Sequence, residues 1–327
     1  MNARPSHADN DLAPTAASVL RRAEAARVYE VAEHTALDPA PLLSARVGAS
    51  VLLKREDQQP VFSFKLRGAY NRMAQLDEVQ RAKGVIAASA GNHAQGVAFA
   101  ARQMGSHATV VMPAKAVKSK VEATRNYGGE VVLTEADLME TMNAIREERK
   151  LVFVSPFDDP EIIAGAGTVG DEIFDDVPDV DVIITGVGGG GIVSGTAVAA
   201  RARRPEARVI GVEPDGANTM RMSLDKGSPQ KIAKAVTVAD GLAAPMAGDL
   251  TYAHVKQLGV EIVTVPDSAI IEAMWTIIER CKVLAEPAAA AGLAGLLSGA
   301  ITVERGASVV CILTGGNADR EKLRAMA

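Results

Sequence analysis

Cysteine and aromatic residues are scarce in this sequence. The 327 residues include one tryptophan and two cysteines, Cys281 and Cys311, and aromatic side chains make up 3% of the chain. Two cysteines form neither a disulfide framework nor the ligand spacing of a metal site. Both stand in apolar surroundings, so we interpret them as core residues. This pattern is typical of proteins in a reducing compartment, and we expect a cytoplasmic location.

The sequence also lacks an excess of basic residues and any long apolar run. Its 35 lysines and arginines against 40 acidic residues give a net charge of -5. This charge argues against nucleic acid as the main partner, because phosphate neutralisation needs clustered cations. No run is long enough to cross a bilayer, and residues 1–30 contain no signal-peptide core, so we expect no membrane contact. We expect disorder in the first dozen residues and a helix beginning near Thr15.

Apolar runs rich in valine and isoleucine alternate with alanine-rich stretches along the chain. The apolar fraction of 48% is ample for a packed core. Each run is continuous, as expected for strands covered by helices on both faces. The order strand, helix, strand therefore predicts an α/β fold with mostly parallel sheets. The predicted strands lie in VGASVLLKRE, KGVIAAS, HATVVMP, GGEVVLTE, KLVFVSP, VDVIITGVG, ARVIGVEP, VEIVTVP and ASVVCILTGG.

A lysine stands inside the apolar run PVFSFKLRGAYN at residues 60–71. Lys65 is flanked by Phe64 and Leu66, and burial lowers the pKa of a lysine, which makes its amine a nucleophile. The alternative is a lysine whose stem covers the edge of the core while its ammonium reaches water. This run by itself favours the alternative, so the remaining motifs decide between the two.

Four consecutive glycines, Gly188, Gly189, Gly190 and Gly191, separate the run DVIITGV from a helical stretch. Without Cβ atoms the backbone approaches an anion closely, and N–H groups at a helix N-terminus point at it. The alternative is a tight turn without a ligand, but a turn needs fewer glycines. The loop lacks the G-K-[ST] ending of a nucleoside triphosphate site and the glycine spacing of a dinucleotide site. We therefore interpret it as a cradle for a monophosphate.

A second polar glycine turn, SAGNHAQG, follows another predicted strand. Its serine hydroxyl, backbone N–H groups, asparagine amide and histidine imidazole suit a planar carboxylate. An N-capped helix explains the same residues nearly as well. A third turn, LTGGNAD, is in isolation only a turn.

Ligands collect at the carboxyl ends of strands in such sheets. A nucleophilic lysine, a phosphate cradle and a carboxylate cradle together describe a site where pyridoxal 5'-phosphate (PLP) handles an amino acid.

The segments LLKREDQQPVFSFKLRGAYN, ASAGNHAQGVA, VGGGG and TGGNAD, in this order, resemble the threonine/serine dehydratase group of fold-type II PLP enzymes. The resemblance implies two three-layer α/β domains with mostly parallel sheets, as in the tryptophan synthase β fold, with PLP in the cleft. Residues 1–54 and 155–327 would form the large PLP-binding domain. Residues 55–154 would form a small inserted domain carrying Lys65 and the SAGNH turn. We expect no regulatory domain after Asp319 and no isoleucine inhibition through one.

The resemblance also implies roles for single residues. Lys65 would form the Schiff base with PLP, Asn92 would hydrogen-bond the ring hydroxyl, and Thr314 would replace the usual serine at the pyridine nitrogen. A hydroxyl at that nitrogen favours elimination over transamination. The expected PLP contacts are Phe64, Lys65, Asn92, Gly188, Gly189, Gly190, Gly191, Gly241 and Thr314. The residues expected around the substrate carboxylate are Ser89, Ala90, Gly91, Asn92 and His93.

The reaction implied is β-elimination, which converts L-threonine to 2-oxobutanoate and L-serine to pyruvate, each with ammonia. Isoleucine biosynthesis is the expected setting, and a homodimer or homotetramer the expected assembly. Alternatives within the family are a dehydratase for 3-hydroxyaspartate or phenylserine and a serine racemase. Two further alternatives are a non-catalytic sensor of a phosphorylated metabolite and an NAD-binding protein. Neither explains why a lysine stands in an apolar run at position 65.

Two departures from the family pattern narrow these expectations. Serine racemases of the group resemble SSGNH, with a second serine where this chain has Ala90, so racemisation should be weak. Relatives that hold a divalent metal have a glutamate followed six positions later by an aspartate. This chain has Glu213 but Thr219, so we expect no metal.

Overall fold

The computed structural model describes residues 14–327, so the expected disorder of the first dozen residues lies outside the described part. The first helix begins at Pro14, next to the expected start at Thr15. The strands are β1 Leu37–Pro39, β2 Ser50–Arg55, β3 Val85–Ala88, β4 Ala108–Pro113, β5 Glu130–Thr134, β6 Val152–Phe153, β7 Val182–Gly186, β8 Arg208–Pro214, β9 Glu261–Val265 and β10 Ser308–Leu313. The α-helices are α1 Pro14–Glu24, α2 Pro41–Val47, α3 Lys65–Ala74, α4 Glu78–Lys83, α5 Asn92–Gln103, α6 Lys118–Asn126, α7 Leu138–Arg149, α8 Pro160–Asp176, α9 Gly191–Arg203, α10 Thr219–Lys226, α11 Asp249–Gln257, α12 Asp267–Thr276, α13 Pro287–Leu297 and α14 Arg320–Ala325.

The strands form two sheets. The larger has the order β1-β2-β10-β7-β8-β9, and the smaller has the order β5-β4-β3-β6. All neighbours are parallel except β1, which pairs antiparallel with β2 at the edge. The predicted α/β class with mostly parallel sheets is therefore confirmed, and each of the nine predicted strands is present.

Helices cover both faces of each sheet. In the larger sheet, Ile184 faces the core under α13, and its neighbour Ile183 faces the core under α8 and α9. In the smaller sheet, Ala87 packs with α3 and α5, whereas Ile86 packs against Met142 of α7. Successive side chains of a strand point to opposite faces, so strands buried on both sides need continuous apolar runs.

The smaller sheet is built from a segment that leaves the larger sheet after β2 and returns before β7. This layout supports the proposed division into domains 1–54 with 155–327 and 55–154, which stays a proposal. No described helix combines the length and apolarity that crossing a bilayer requires. Cys311 is buried in β10 as expected, but Cys281 lies in a π-helical turn at Ile277–Cys281 and is only partly buried.

A buried ionic network fixes α3 against the larger sheet. Arg67 of α3 binds Glu56, which follows β2, at 2.8 Å and Glu172 of α8 at 2.6 Å. Lys54 of β2 binds Glu172 at 2.7 Å, so two cations and two carboxylates balance one another. Removing one member of such a buried pair costs about 3–5 kcal/mol. The network therefore holds the helix whose first residue is Lys65.

Candidate active site

The carboxyl ends of strands from both sheets meet at a cavity of about 360 Å³. Every residue that the sequence analysis placed at the site lines this cavity. A groove of about 620 Å³ between α9 and α11 is larger, but it contains none of these residues. The predicted residues that line the cavity are Phe64, Lys65, Ser89, Ala90, Gly91, Asn92, His93, Gly188, Gly189, Gly190, Gly191, Gly241 and Thr314.

Lys65 enters this cavity from the N-terminus of α3. Its Nζ donates a hydrogen bond to the carbonyl of Pro156 at 2.7 Å and lies 5.0 Å from the centre of the Phe64 ring. Burial lowers the pKa of Lys65 to about 8. The side chain thus directs its amine into the cavity, and the alternative of a lysine that reaches bulk water does not fit this geometry.

The segment before Lys65 is held by the turn after β10. Ser63 forms an isolated bridge with Gly315, and the N–H of Phe64 donates to the carbonyl of Thr314 at 3.1 Å. Phe62 adopts a φ of 56°, in the left-handed region that bulky residues rarely occupy. The surrounding bonds must therefore maintain this conformation, which sets the direction of the following helix.

The glycine loop lies between β7 and α9. Among the described residues, the N–H groups of Gly188, Gly189 and Gly190 donate to no backbone carbonyl. Gly190 has a φ of 96°, and a Cβ on Gly189 would lie 2.2 Å from the Phe157 ring. Close packing alone thus demands glycine at these positions, which the sequence analysis did not consider. The free N–H groups at the helix N-terminus nevertheless fit a phosphate.

The SAGNH turn connects β3 to α5. Ser89 accepts the N–H of Gly91 at 3.2 Å, and the ring Nε2 of His93 lies 2.9 Å from the carbonyl of Val154. Burial, together with the Lys65 ammonium, lowers the pKa of His93 to about 3. His93 is therefore neutral at physiological pH, and Nε2 donates to Val154. Any charge attraction for a substrate carboxylate must come from elsewhere in the cavity.

Three charged residues that the sequence analysis missed also line the cavity. Lys120 binds Asp240 at 2.7 Å. Glu286 is 2% exposed and accepts the Nδ2–H of Asn92 at 2.5 Å. Lys120 lies in KSKVEATRN, which reads as an exposed basic helix, so no pattern marked it. Glu286 in LAEPAAAAG was detectable as a carboxylate in an apolar run.

Glu213 lies apart from this cavity, at the end of β8. Its carboxylate accepts the N–H groups of Met220 and Arg221, each at 2.8 Å, and burial raises the pKa of Glu213 to about 8. Thr219 is buried, and its hydroxyl has no hydrogen-bond partner. Residues 14–327 contain no group of three or more potential metal-ligating side chains. The absence of a metal stays a prediction.

The cavity fits the cofactor implied by the resemblance. The glycine loop offers unused N–H donors for a phosphate, and Lys65 presents an amine of lowered pKa. The partly buried amide of Asn92 and the buried hydroxyl-bearing residue Thr314 complete the wall. These groups match the donors that a phosphorylated pyridine aldehyde needs.

Comparisons with known proteins point the same way. The sequence profile of the family described as "Pyridoxal-phosphate dependent enzyme" matches residues 29–315. The L-threonine ammonia-lyase of Thermotoga maritima is 44% identical over 292 residues, which are 88% of this chain and 72% of that protein. The biosynthetic L-threonine dehydratase of Haemophilus influenzae is 41% identical over 302 residues, 91% of this chain. The chain spans only 59% of that relative's length.

Solved structures show the same fold. The processed form of threonine deaminase isoform 2 from Solanum lycopersicum superposes with a TM-score of 0.90 at 37% identity, covering 95% of this chain and 87% of that one. Maize serine racemase superposes with a TM-score of 0.89 at 36% identity, covering 94% and 95%. The fold and family are thus shared by lyases and racemases, so residues within the cavity must separate the two activities.

Proposed function

The chain belongs to the family of pyridoxal-phosphate dependent enzymes, and from this premise we propose that it is a deaminating dehydratase. It converts L-threonine to 2-oxobutanoate and ammonia, and L-serine to pyruvate and ammonia. The names of the relatives at 40–44% identity support threonine as the substrate. The activity is a proposal for the whole protein, because the chain covers less than two thirds of several of these relatives.

The observation that carries the proposal is the position of Lys65. Bound PLP supplies an electron sink for the bond between Cα and its hydrogen. Lys65 supplies the base, because a pKa of about 8 leaves part of the amine unprotonated near neutral pH. The Cα proton moves to Nζ, and the electron pair it leaves forms the Cα–Cβ double bond as the Cβ–O bond breaks. The departing hydroxyl takes up one proton, which the protonated Lys65 amine can return, and leaves as water. The released enamine then hydrolyses to the 2-oxo acid and ammonia.

The other cavity residues take the roles that the resemblance implies. Asn92 holds the ring oxygen of the cofactor, and the glycine loop 188–191 holds its phosphate. Phe64, Gly241 and Thr314 enclose the ring. The carboxylate of the substrate binds at residues 89–93, where backbone N–H groups, including that of Asn92, and the Ser89 hydroxyl are the donors. That all of these residues line one cavity supports these roles.

The walls of the cavity favour a small uncharged β-substituent. Leu138, Phe157 and the segment 243–245 supply apolar surface. The cations that line it in the described chain are Lys65, assigned to catalysis, and Lys120, which is bound to Asp240. A second carboxylate, as in 3-hydroxyaspartate, would be desolvated without a free cation, which is unfavourable. Threonine and serine carry no such charge.

Ala90 disfavours the racemase alternative. A racemase needs a proton donor on each face of Cα, and the racemase pattern SSGNH places a hydroxyl where this chain has a methyl group. Ala90 lines the cavity and packs beside the apolar cluster of Ala94 and Val110. We further propose a cytoplasmic location and a homodimer or homotetramer, both by analogy with the family.

The test is a substrate panel. The protein, supplied with PLP, is incubated with L-threonine, L-serine, threo-3-hydroxyaspartate and phenylserine, and the 2-oxo acid and ammonia are measured. We expect kcat/KM to be highest for L-threonine, with L-serine second. The value for 3-hydroxyaspartate should fall by roughly 100-fold, since an unpaired buried charge costs several kcal/mol.

Chiral analysis of L-serine incubations completes the panel. Elimination should exceed formation of D-serine. A highest kcat/KM with 3-hydroxyaspartate would contradict the substrate assignment, and racemisation faster than elimination would contradict the reaction assignment. Lys65→Ala is the negative control, because it removes the proposed base.

A further inference from the structure

Asn92 belongs to a chain of hydrogen bonds that crosses the cavity wall. Asn317, in the turn after β10, donates from Nδ2 to the carbonyl of Val61 at 3.0 Å and to Oδ1 of Asn92 at 2.9 Å. Asn92 in turn donates from Nδ2 to Oε1 of Glu286 at 2.5 Å. This series of hydrogen bonds begins before α3, passes through the start of α5 and ends at Glu286, the residue preceding α13.

The carbonyl of Val61 fixes the direction of every bond in this chain. A backbone carbonyl only accepts, so the amide nitrogen of Asn317 must face it. Both hydrogens of that nitrogen are then used, one on Val61 and one on Asn92, and the oxygen of the Asn92 amide must face Asn317. The nitrogen of Asn92 therefore faces Glu286 and the cavity. This assignment follows from the donors and acceptors rather than from the similar shapes of the two ends of an amide.

Glu286 is the acceptor that ends the chain. Its side chain is buried, and burial raises its pKa to about 7. The charged groups that act on it are Lys120 from α6, Asp240 from the 3-10 turn Asp240–Leu242, and Lys322 from α14. Lys120 and Lys322 both bind Asp240, at 2.7 and 2.9 Å, so neither cation is held by Glu286.

The turn after β10 leaves room for this bond. A Cβ on Gly315 would lie 2.7 Å from Oε1 of Glu286 and 3.0 Å from Nδ2 of Asn92. Any side chain at this position would push the two partners apart. Gly315, the first glycine of TGGNAD, thus leaves space for the hydrogen bond between Asn92 and Glu286, a role that was not predicted from the sequence.

We propose that Asn317 and Glu286 are positioning residues that hold the Asn92 amide with its NH2 group toward the cavity. One N–H of Asn92 is used on Glu286, and the other is left for the ring oxygen of the cofactor. A reversed amide would present its own oxygen to that ring oxygen and repel it. The inference rests on the proposed function, because Asn92 has this task only if PLP occupies the cavity.

The experiment measures how firmly the holoenzyme retains PLP. Wild type, Glu286→Gln and Asn317→Ala are loaded with PLP, diluted, and followed by absorbance at a series of pH values between about 6 and 9. Glu304→Gln and Asn143→Ala are matched controls, because both residues are exposed and neither lines the cavity. Circular dichroism checks that each variant is folded, and kcat for L-threonine is recorded in parallel.

The sign of the pH effect follows from the pKa of Glu286. The ionised carboxylate is the stronger acceptor, so PLP retention by wild type should rise as the pH passes through about 7. Glutamine at 286 accepts without a charge, so that variant should lose this step and bind PLP roughly tenfold more weakly at high pH. Asn317→Ala should weaken binding by a similar factor at all pH values.

The outcomes separate this inference from the proposed function. If Glu286→Gln keeps the pH step and Asn317→Ala binds PLP like its control, the positioning role is wrong while PLP binding and turnover stand. A purely structural role would lower stability without altering the pH profile, and that result would also overturn the inference. A wild-type protein that retains no PLP would contradict the proposed function itself.

Discussion

At the scale of single residues, we propose that position 90 distinguishes elimination from racemisation. Lys65 reaches the cavity from α3, and Ala90 lines it from the turn between β3 and α5 with only a methyl group. A base on one face of Cα removes a proton and returns it to the same face, which preserves configuration. On this proposal, elimination prevails over racemisation because the methyl group of Ala90 cannot donate a proton.

Ala90→Ser tests this reading. The new hydroxyl should give measurable conversion of L-serine to D-serine, at least roughly tenfold above wild type, because a positioned proton donor contributes about 10²–10⁴-fold. Elimination of L-threonine should change little. Chiral chromatography measures the D-serine. Unchanged racemisation in a variant that still eliminates would show that another feature sets the reaction outcome.

Single residues were predictable where their surroundings were unusual. A lysine between phenylalanine and leucine, or four glycines in a row, is rare enough to indicate a site. Lys120 and Asp240 were not predictable, because a charged residue in a helix or turn normally faces water. Their partners lie far apart in the sequence, and only the fold brings them together.

At the scale of secondary structure, the continuous apolar runs predicted every parallel strand. β1 was missed because it consists of Leu37–Pro39 alone, and proline is typical of edge strands. Its antiparallel pairing with β2 is local and leaves no alternating pattern. The glycine loop was predicted for the correct place, but packing against Phe157 was an unforeseen reason for its glycines.

Gly189→Ala tests the packing of this loop. The added Cβ would overlap the Phe157 ring, so the loop or the ring must move, at a cost of about 1–3 kcal/mol of stability. We expect a lower Tm and at least roughly tenfold weaker PLP binding, the equivalent of one lost hydrogen bond. Thermal unfolding and cofactor titration measure the two effects.

Gly227→Ala is the matched control for this substitution. Its φ of 74° makes alanine strained, but open space surrounds the position. The control should lose about 1 kcal/mol of stability and keep wild-type PLP affinity. Equal PLP affinities in the two variants would mean that the loop at 188–191 does not hold the phosphate.

At the scale of the whole molecule, long-range polar contacts hold the cavity together. The buried ionic network holds α3 against β2 and α8 through Arg67, Glu56, Glu172 and Lys54. Arg67 and Glu172 are 105 residues apart in the sequence. Asn317 and Glu286 reach the SAGNH segment from the far end of the chain. The succession of strands and helices along the chain was predictable from local patterns. The long-range polar pairings were not, because they depend on the completed fold and no short stretch of sequence indicates them.

The central claim is that Lys65 in this cavity serves PLP in the deamination of threonine. Its most direct test is the absorbance spectrum of the purified protein and of Lys65→Ala, each supplied with PLP, before and after L-threonine is added. We predict a visible band in wild type that shifts on addition while 2-oxobutanoate accumulates, and binding of PLP without turnover in Lys65→Ala. No visible band in wild type, or near-wild-type turnover in the variant, would contradict the account.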